Sequence, residues 1–143
     1  HKDVKPPEFR EHLETVIVCD LDGTLALLNG RNPYDASTCE NDILNEAVYF
    51  VIKHKPVIFV SGRTDKFRIQ TEAFLAKHNL GHHPLFMRKE GDVRKDCIVK
   101  QEIYDNEIKD KYNVRFVLDD RSSVVDTWRA NGLICFQVAE GNF

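Results

Sequence analysis

Apolar positions along the chain fall into short β-branched runs separated by longer stretches with helical spacing. Thr15-Val16-Ile17-Val18-Cys19 is compact and β-branched, the pattern of a buried strand. Four more strands are expected at Val57-Ile58-Phe59-Val60, Pro84-Leu85-Phe86-Met87, Val114-Arg115-Phe116-Val117-Leu118 and Ile134-Cys135-Phe136-Gln137-Val138. Ile43, Leu44, Ala47, Val48 and Val51 share one face of a predicted helix. Phe67, Phe74, Leu75 and His78 mark a second, which stops at Asn79-Leu80-Gly81. A third, spanning residues 93–111 approximately, carries Ile98, Glu102, Ile103 and Ile108. Ser123 is expected to cap a fourth, with Val124, Val125 and Trp128 on it and Asn131-Gly132 closing it. Strands alternating with helices specify an α/β fold with a parallel sheet and right-handed crossovers.

In such sheets a ligand binds beyond the carboxyl ends of the strands. The residues that follow each strand therefore carry the functional signal. The first strand runs into Asp20-Leu21-Asp22-Gly23-Thr24, the second into Ser61-Gly62-Arg63-Thr64, and the fourth into Asp119-Asp120-Arg121. Core packing alone does not place polar clusters at three strand ends. Asp20, Asp22, Asp119 and Asp120 on one site would repel strongly without a bound cation or a shared proton. An all-oxygen donor set favours Mg²⁺. Ser61 with neighbouring backbone amides and one or two cations would hold a phosphate.

Length and composition exclude several classes. The chain has 143 residues, 42% hydrophobic and 30% charged, with formal net charge −3 and pI near 6.1. This is one ordinary globular domain and not a basic nucleic-acid coat protein. The longest compact apolar stretch, Val57–Val60, is far too short for a bilayer. The stretch His1–Glu14 is charged, contains Pro6-Pro7, and lacks signal-peptide character. A first residue of His rather than Met suggests a piece of a longer protein. Cys19, Cys39, Cys97 and Cys135 form no C-x-x-C pair, so free thiols in a reducing compartment are expected. No phosphate-binding G-x-x-x-x-G-K-[ST] loop is present, so no kinase site is expected in this chain.

Asp20-Leu21-Asp22-Gly23-Thr24 resembles the first motif of the haloacid dehalogenase (HAD) phosphohydrolase superfamily, with Ser61 and Asp119-Asp120 where its second and fourth motifs belong. Four segments narrow the resemblance: Asn29–Asp35, Val60–Arg63, Gly91–Asp96 with Val99-Lys100, and Asp119–Arg121. With Trp128-Arg129 and Gln137–Phe143, they are similar to the 3′-phosphatase domain of phage-type polynucleotide kinase–phosphatases. The likeness runs from about Val16 to Phe143. It implies a HAD-like Rossmannoid three-layer fold over residues 15–143, with five strands ordered 3-2-1-4-5 and no large cap domain. Residues 1–14 would be an extension or linker.

The resemblance implies a Mg²⁺-dependent phosphoric monoester hydrolase that removes a 3′-terminal phosphate from RNA or DNA in end healing. Asp20 would be the nucleophile that forms an aspartyl-phosphate. Asp22 would be the general acid and then the base. Mg²⁺ would be held by Asp20, the Asp22 backbone carbonyl and, by family analogy, Asp120, with Asp119 orienting from behind. Ser61 and Lys100 would hold the phosphoryl group. Arg31, Arg63 and Asp96 match functional positions of the family, in substrate contact and in orienting neighbours. Lys95 competes with Lys100 for the third motif. Asp96 and Lys100 share a helical face, and the family lysine stands four residues after its aspartate, which selects Lys100. The implied setting is intracellular, in a bacterial or phage-infected cell, with a polynucleotide kinase domain often in the same polypeptide.

No insertion is long enough for a lid domain, which suits a polynucleotide end better than a small metabolite. The loop Ala26–Asp35 is expected to arch over the site with Arg31 at its tip. Arg88, Lys89, Arg94, Lys95 and Lys100, with Arg63, Lys66 and Arg68, would make a basic rim for the strand backbone. Tyr34, Phe67 and Phe86 are candidates for base stacking, although Phe67 and Phe86 read more readily as core. The rival readings are a HAD phosphatase for a small phosphomonoester or nucleotide, and a phospho-accepting receiver module. The latter needs no acid two residues after its nucleophile.

Overall fold

The structure, a computed structural model, describes residues 3–143. In chain order its elements are β1 (Glu14–Cys19), β2 (Ala26–Leu27), β3 (Ile43–Leu44), α1 (Glu46–Ile52), β4 (Val57–Thr64), α2 (Arg68–Lys77), β5 (Leu85–Arg88), α3 (Asp96–Ile103), β6 (Tyr112–Asp119), α4 (Ser122–Ala130) and β7 (Cys135–Gln137). Five of the strands form one sheet in the order β5-β4-β1-β6-β7, and every pairing is parallel. This is the expected 3-2-1-4-5 arrangement. Among the described residues no large cap interrupts it.

Alternation along β1 builds the three layers. Ile17 and Cys19 face a core containing Val48 and Ile52 of α1 and Phe74 and Leu75 of α2. Val16 and Val18 face the opposite core, with Trp128, Val124 and Val125 of α4 and with Tyr104 and Ile108 beyond α3. Both faces of the central strand are covered over Val16–Cys19, and that stretch is apolar without interruption.

Several local expectations are corrected. Ile43 and Leu44 are not helical. They form β3, pairing antiparallel with Ala26 and Leu27 of β2. Asn45 then binds back to the first motif: its N–H donates to Leu25 O and its Nδ2 to Thr24 O, both at 2.8 Å. The helix starts only at Glu46 and buries Val48 and Ile52, leaving Val51 exposed. The third helix is shorter than 93–111. It begins at Asp96 and relaxes into a π-helical turn over Tyr104–Ile108, where Lys109 N–H bonds the carbonyl of Tyr104. Ser123 does not cap α4. Arg121 occupies that position, and Gly132 at φ +84° closes the helix. Asn79, at φ +61°, ends α2. Residues before β1 pack on the domain: Asn113 Nδ2 donates to the carbonyls of Arg10 and Leu13, and Lys5 and Pro6 lie against Gly132.

Candidate active site

Because β1 and β6 are hydrogen-bonded neighbours, their carboxyl ends deliver Asp20, Asp119 and Asp120 side by side. One carboxylate oxygen from each lies within 4.8 Å of the others, and all three residues are buried. Lys100, 2% exposed, comes from α3 beneath them. Its Nζ donates to Asp20 Oδ1 at 2.8 Å and Asp119 Oδ2 at 2.9 Å. Thr24 Oγ1 lies 3.0 Å from Asp20 Oδ2 and 3.3 Å from Asp120 Oδ1.

Asp119 is the most fully occupied of the three. Its Oδ1 accepts the backbone N–H groups of Asp120 and Arg121, and its Oδ2 accepts Lys100 and the indole Nε1 of Trp128. Asp120 keeps free oxygen capacity and rests against Gly23. A Cβ at Gly23 would overlap Asp120 Oδ2, and the φ of +79° there is a conformation glycine adopts readily. Burial raises the Asp20 carboxyl well above the usual carboxylate range, the Asp119 charge adds to this, and Lys100 offsets part. Burial likewise raises Asp120, against a hydrogen bond with Asp20. Burial pulls Lys100 down, but the Asp119 and Asp20 carboxylates together hold it above the ordinary lysine value.

Three carboxylates against one ammonium leave two negative charges, the charge of one divalent cation. The donors are all oxygen, and Asp20 and Asp120 retain lone pairs toward the cavity. The residues present therefore fit a hard divalent metal.

A second cluster adjoins the first. Asp22, half-exposed, accepts Arg31 Nη2 at 3.1 Å and Arg63 Nη2 at 2.7 Å on Oδ1, and Arg63 Nε at 3.3 Å on Oδ2. Both arginines are anchored from behind by Asp42. Its Oδ1 accepts Arg31 Nε and its Oδ2 accepts Arg31 Nη2, each at 2.8 Å, with Arg63 Nη2 at 3.4 Å. Thr71 Oγ1 accepts Arg63 Nη1 at 2.9 Å. Arg31 is thus turned inward, its side chain 6% exposed, and is not at the loop tip. The exposed residues there include Tyr34. Asp42 was missed in the sequence: a lone aspartate in an irregular segment, it gives no spacing signal.

Ser61 is fully buried, and its Oγ accepts the backbone N–H of Arg63. Asp96 lies on Gly62, whose missing Cβ leaves the room, and bridges Arg88 and Arg121. Arg88 also donates to Gly62 O at 2.7 Å, so this group stiffens the end of β4. The basic rim is largely neutralised. Arg63, Arg68, Arg88, Arg94 and Lys100 all pair with carboxylates, which leaves Lys66, Lys89 and Lys95 unpaired among the described residues. His82 and His83 belong to no ligand group among the described residues, and Phe86 packs on the core. Trp128 is packed as expected, but it also bonds the site through Asp119.

The clusters open into one cavity of about 860 Å³, lined by Asp20, Asp22, Arg63, Lys100, Asp119 and Asp120 and walled by Leu27, Leu28, Tyr34, Val93 and Phe143. Ser61 and Arg31 are not in its lining. Residues 14–143 match the family model of the polynucleotide kinase PNKP phosphatase domain. The chain belongs to that family. As a PNKP-type phosphatase domain it is 35% identical over 121 residues to the "Putative bifunctional polynucleotide kinase/RNA ligase" of Autographa californica nuclear polyhedrosis virus, covering 79% of this chain and 17% of the relative. A chain in the structure of the Pnkp1/Rnl/Hen1 RNA repair complex superposes with TM-score 0.92 at 46% identity, covering all of this chain and 48% of that one. A chain in a second structure of the Pnkp1/Rnl/Hen1 complex gives 0.90 and 45%, with coverage of 100% and 52%. The PNKP-type domain thus spans about half of those chains and a sixth of the viral relative. It is a HAD-type phosphatase domain, a class that uses a divalent metal, and no helix among its described residues is long and apolar enough to cross a membrane.

Proposed function

We propose that residues 15–143 form a Mg²⁺-dependent polynucleotide 3′-phosphatase acting on RNA or DNA ends in nucleic-acid repair, with residues 1–14 as an extension. The observation that carries this reading is the Asp20–Asp119–Asp120 group, bridged by Lys100 and open to an uncapped cavity, in a chain of the PNKP phosphatase family. The names of the solved relatives favour RNA repair.

Asp20 attacks phosphorus in line and displaces the sugar oxygen, which gives an aspartyl-phosphate and splits one difficult displacement into two. Lys100 fixes the Asp20 carboxylate and neutralises phosphoryl charge. Asp22 protonates the departing oxygen and then takes a proton from the water that hydrolyses the intermediate. Arg63, which lines the cavity, donates to the Asp22 carboxylate beside Arg31. An arriving phosphate therefore competes with Asp22 for the Arg63 N–H groups and releases Asp22 to carry a proton, while Arg31 positions Asp22 from outside the lining. Ser61, buried behind the lining, accepts the Arg63 N–H and holds the end of β4 in place beside the phosphoryl group. Asp20, Asp120 and the Asp22 carbonyl would hold the metal, which supplies charge neutralisation at the phosphoryl oxygens. Asp119, Asp42 and Asp96 hold these groups in place. The viral relative is named a bifunctional polynucleotide kinase/RNA ligase, and a kinase region in the same polypeptide is proposed for the protein this domain belongs to.

The test is phosphate release, with and without Mg²⁺, from a 3′-phosphorylated oligonucleotide, its 5′-phosphorylated isomer and a small phosphomonoester. The 3′ end is expected to react fastest, and only with metal. Equal or faster release from the 5′ end or the small ester overturns the reading.

A further inference from the structure

The wall of the cavity carries apolar side chains that the phosphoryl chemistry does not use. Fourteen large hydrophobic residues are exposed among the described residues, and five of them (Leu27, Leu28, Tyr34, Val93 and Phe143) line this one cavity. Concentration at a catalytic mouth, rather than single scatter, marks a recognition surface. Two of the five are aromatic. The ring of Tyr34 is 95% exposed, on a loop whose Tyr34 N–H donates to Asn32 Oδ1 at 2.8 Å. Phe143, 67% exposed, lies under the Arg121 guanidinium, 4.7 Å from the ring centroid, and Arg121 is itself tied to Asp96. The cations of the same cavity (Arg63, Arg88, Arg94, Lys100 and Arg121) are each already paired with a carboxylate. Little unpaired positive charge is left to follow a strand backbone, and ring faces are what the mouth offers.

We propose that Tyr34 and Phe143 form a stacking site for the terminal nucleobase of the substrate, gripping the end by the π-face that every base shares. This rests on the polynucleotide 3′-phosphatase reading and adds that the end is recognised through its last base. Stacking on an aromatic face is sequence-tolerant, as an end-healing enzyme requires.

The test compares a 3′-phosphorylated oligonucleotide with the same oligonucleotide ending in an abasic sugar 3′-phosphate. Wild type is expected to show a KM about 10-fold higher for the abasic end, with kcat within about twofold. Tyr34→Ala and Phe143→Ala should raise KM similarly for the normal end and not for the abasic one, while Tyr34→Phe behaves as wild type. Both side chains are exposed, so the substitutions leave the core intact. A turnover-independent reading uses Asp20→Asn and a terminal 2-aminopurine, whose fluorescence should be quenched on binding, and not when Tyr34→Ala and Phe143→Ala are added. Equal KM and equal fluorescence for all these combinations overturns the stacking site and leaves the wall as a protein-docking surface. Absence of phosphate release from any 3′ end overturns the phosphatase reading instead, and the fluorescence still decides the stacking site.

Discussion

The indole Nε1 of Trp128 donates to Asp119 Oδ2 at 3.2 Å, a contact closed off from solvent between α4 and the end of β6. A helix-packing residue thereby orients a carboxylate of the reaction centre. Trp128→Phe keeps most of the packing and removes the donor. A charge-assisted hydrogen bond of this kind is worth about 1.5–3 kcal/mol, so thermal unfolding should show a loss of that order. Turnover should fall severalfold with KM little changed, because Asp119 acts on the reacting groups through Lys100.

Asp20→Asn keeps the shape and the contact with Thr24 and removes the proposed nucleophile. Phosphate release should drop at least about 10³-fold. Acid quenching with radiolabelled substrate should trap phosphate on the wild-type protein and none on the variant. Trapping on the variant would move the nucleophile elsewhere.

Asp42 stands behind Arg31 and Arg63 and accepts from both. Asp42→Ala leaves two buried guanidinium groups without their anchor. Breaking a buried pair costs about 3–5 kcal/mol, and misplacing both arginines should lower kcat/KM on the order of 10²-fold. Asp42→Glu should recover part of the stability and less of the activity, since its longer arm cannot hold both guanidinium groups in register. Activity retained at wild-type level by Asp42→Ala would remove the arginine pair from the reaction.

Metal removal should have a distinct pH signature. In the metal-free domain Asp20 and Asp120 hold their protons above the ordinary carboxylate value of 3.8. Groups raised in the folded state contribute stability that is full below the unfolded value and is lost as pH rises through the folded one. With chelator present, the melting temperature should therefore decline from about pH 4 upward more steeply for wild type than for Asp20→Asn. Added Mg²⁺ should flatten that decline and stabilise by about 2.7 kcal/mol at 100 times its dissociation constant. A metal-independent melting curve would argue that these carboxylates share a proton instead.

Much of this arrangement is legible in the chain because strand periodicity fixes which residues end a strand. Asp20 and Asp119 terminate β-branched runs, and a parallel sheet must bring such ends together. The pairing of Ile43-Leu44 with Ala26-Leu27 was not legible, because two-residue strands carry no period and their apolar residues also fit a helix face. Charge partners were hidden for another reason. Arg31 reads as a free loop cation until Asp42, eleven residues on, is seen to accept from it. The basic rim failed likewise, since Arg88 and Arg94 meet Asp96, Asp92 and Glu102 only once the turn after β5 has formed.

Gly141 packs so tightly on the Asp120 carbonyl that any side chain there would collide with it, and the Gly141 carbonyl accepts Ser122 N–H at 2.8 Å. The last turn of chain is thus built into the floor beside the carboxylates, and Phe143 emerges at the cavity lip. Gly141→Ala should therefore press the Asp120 backbone out of place from outside the cavity, and phosphate release should fall more than thermal stability does.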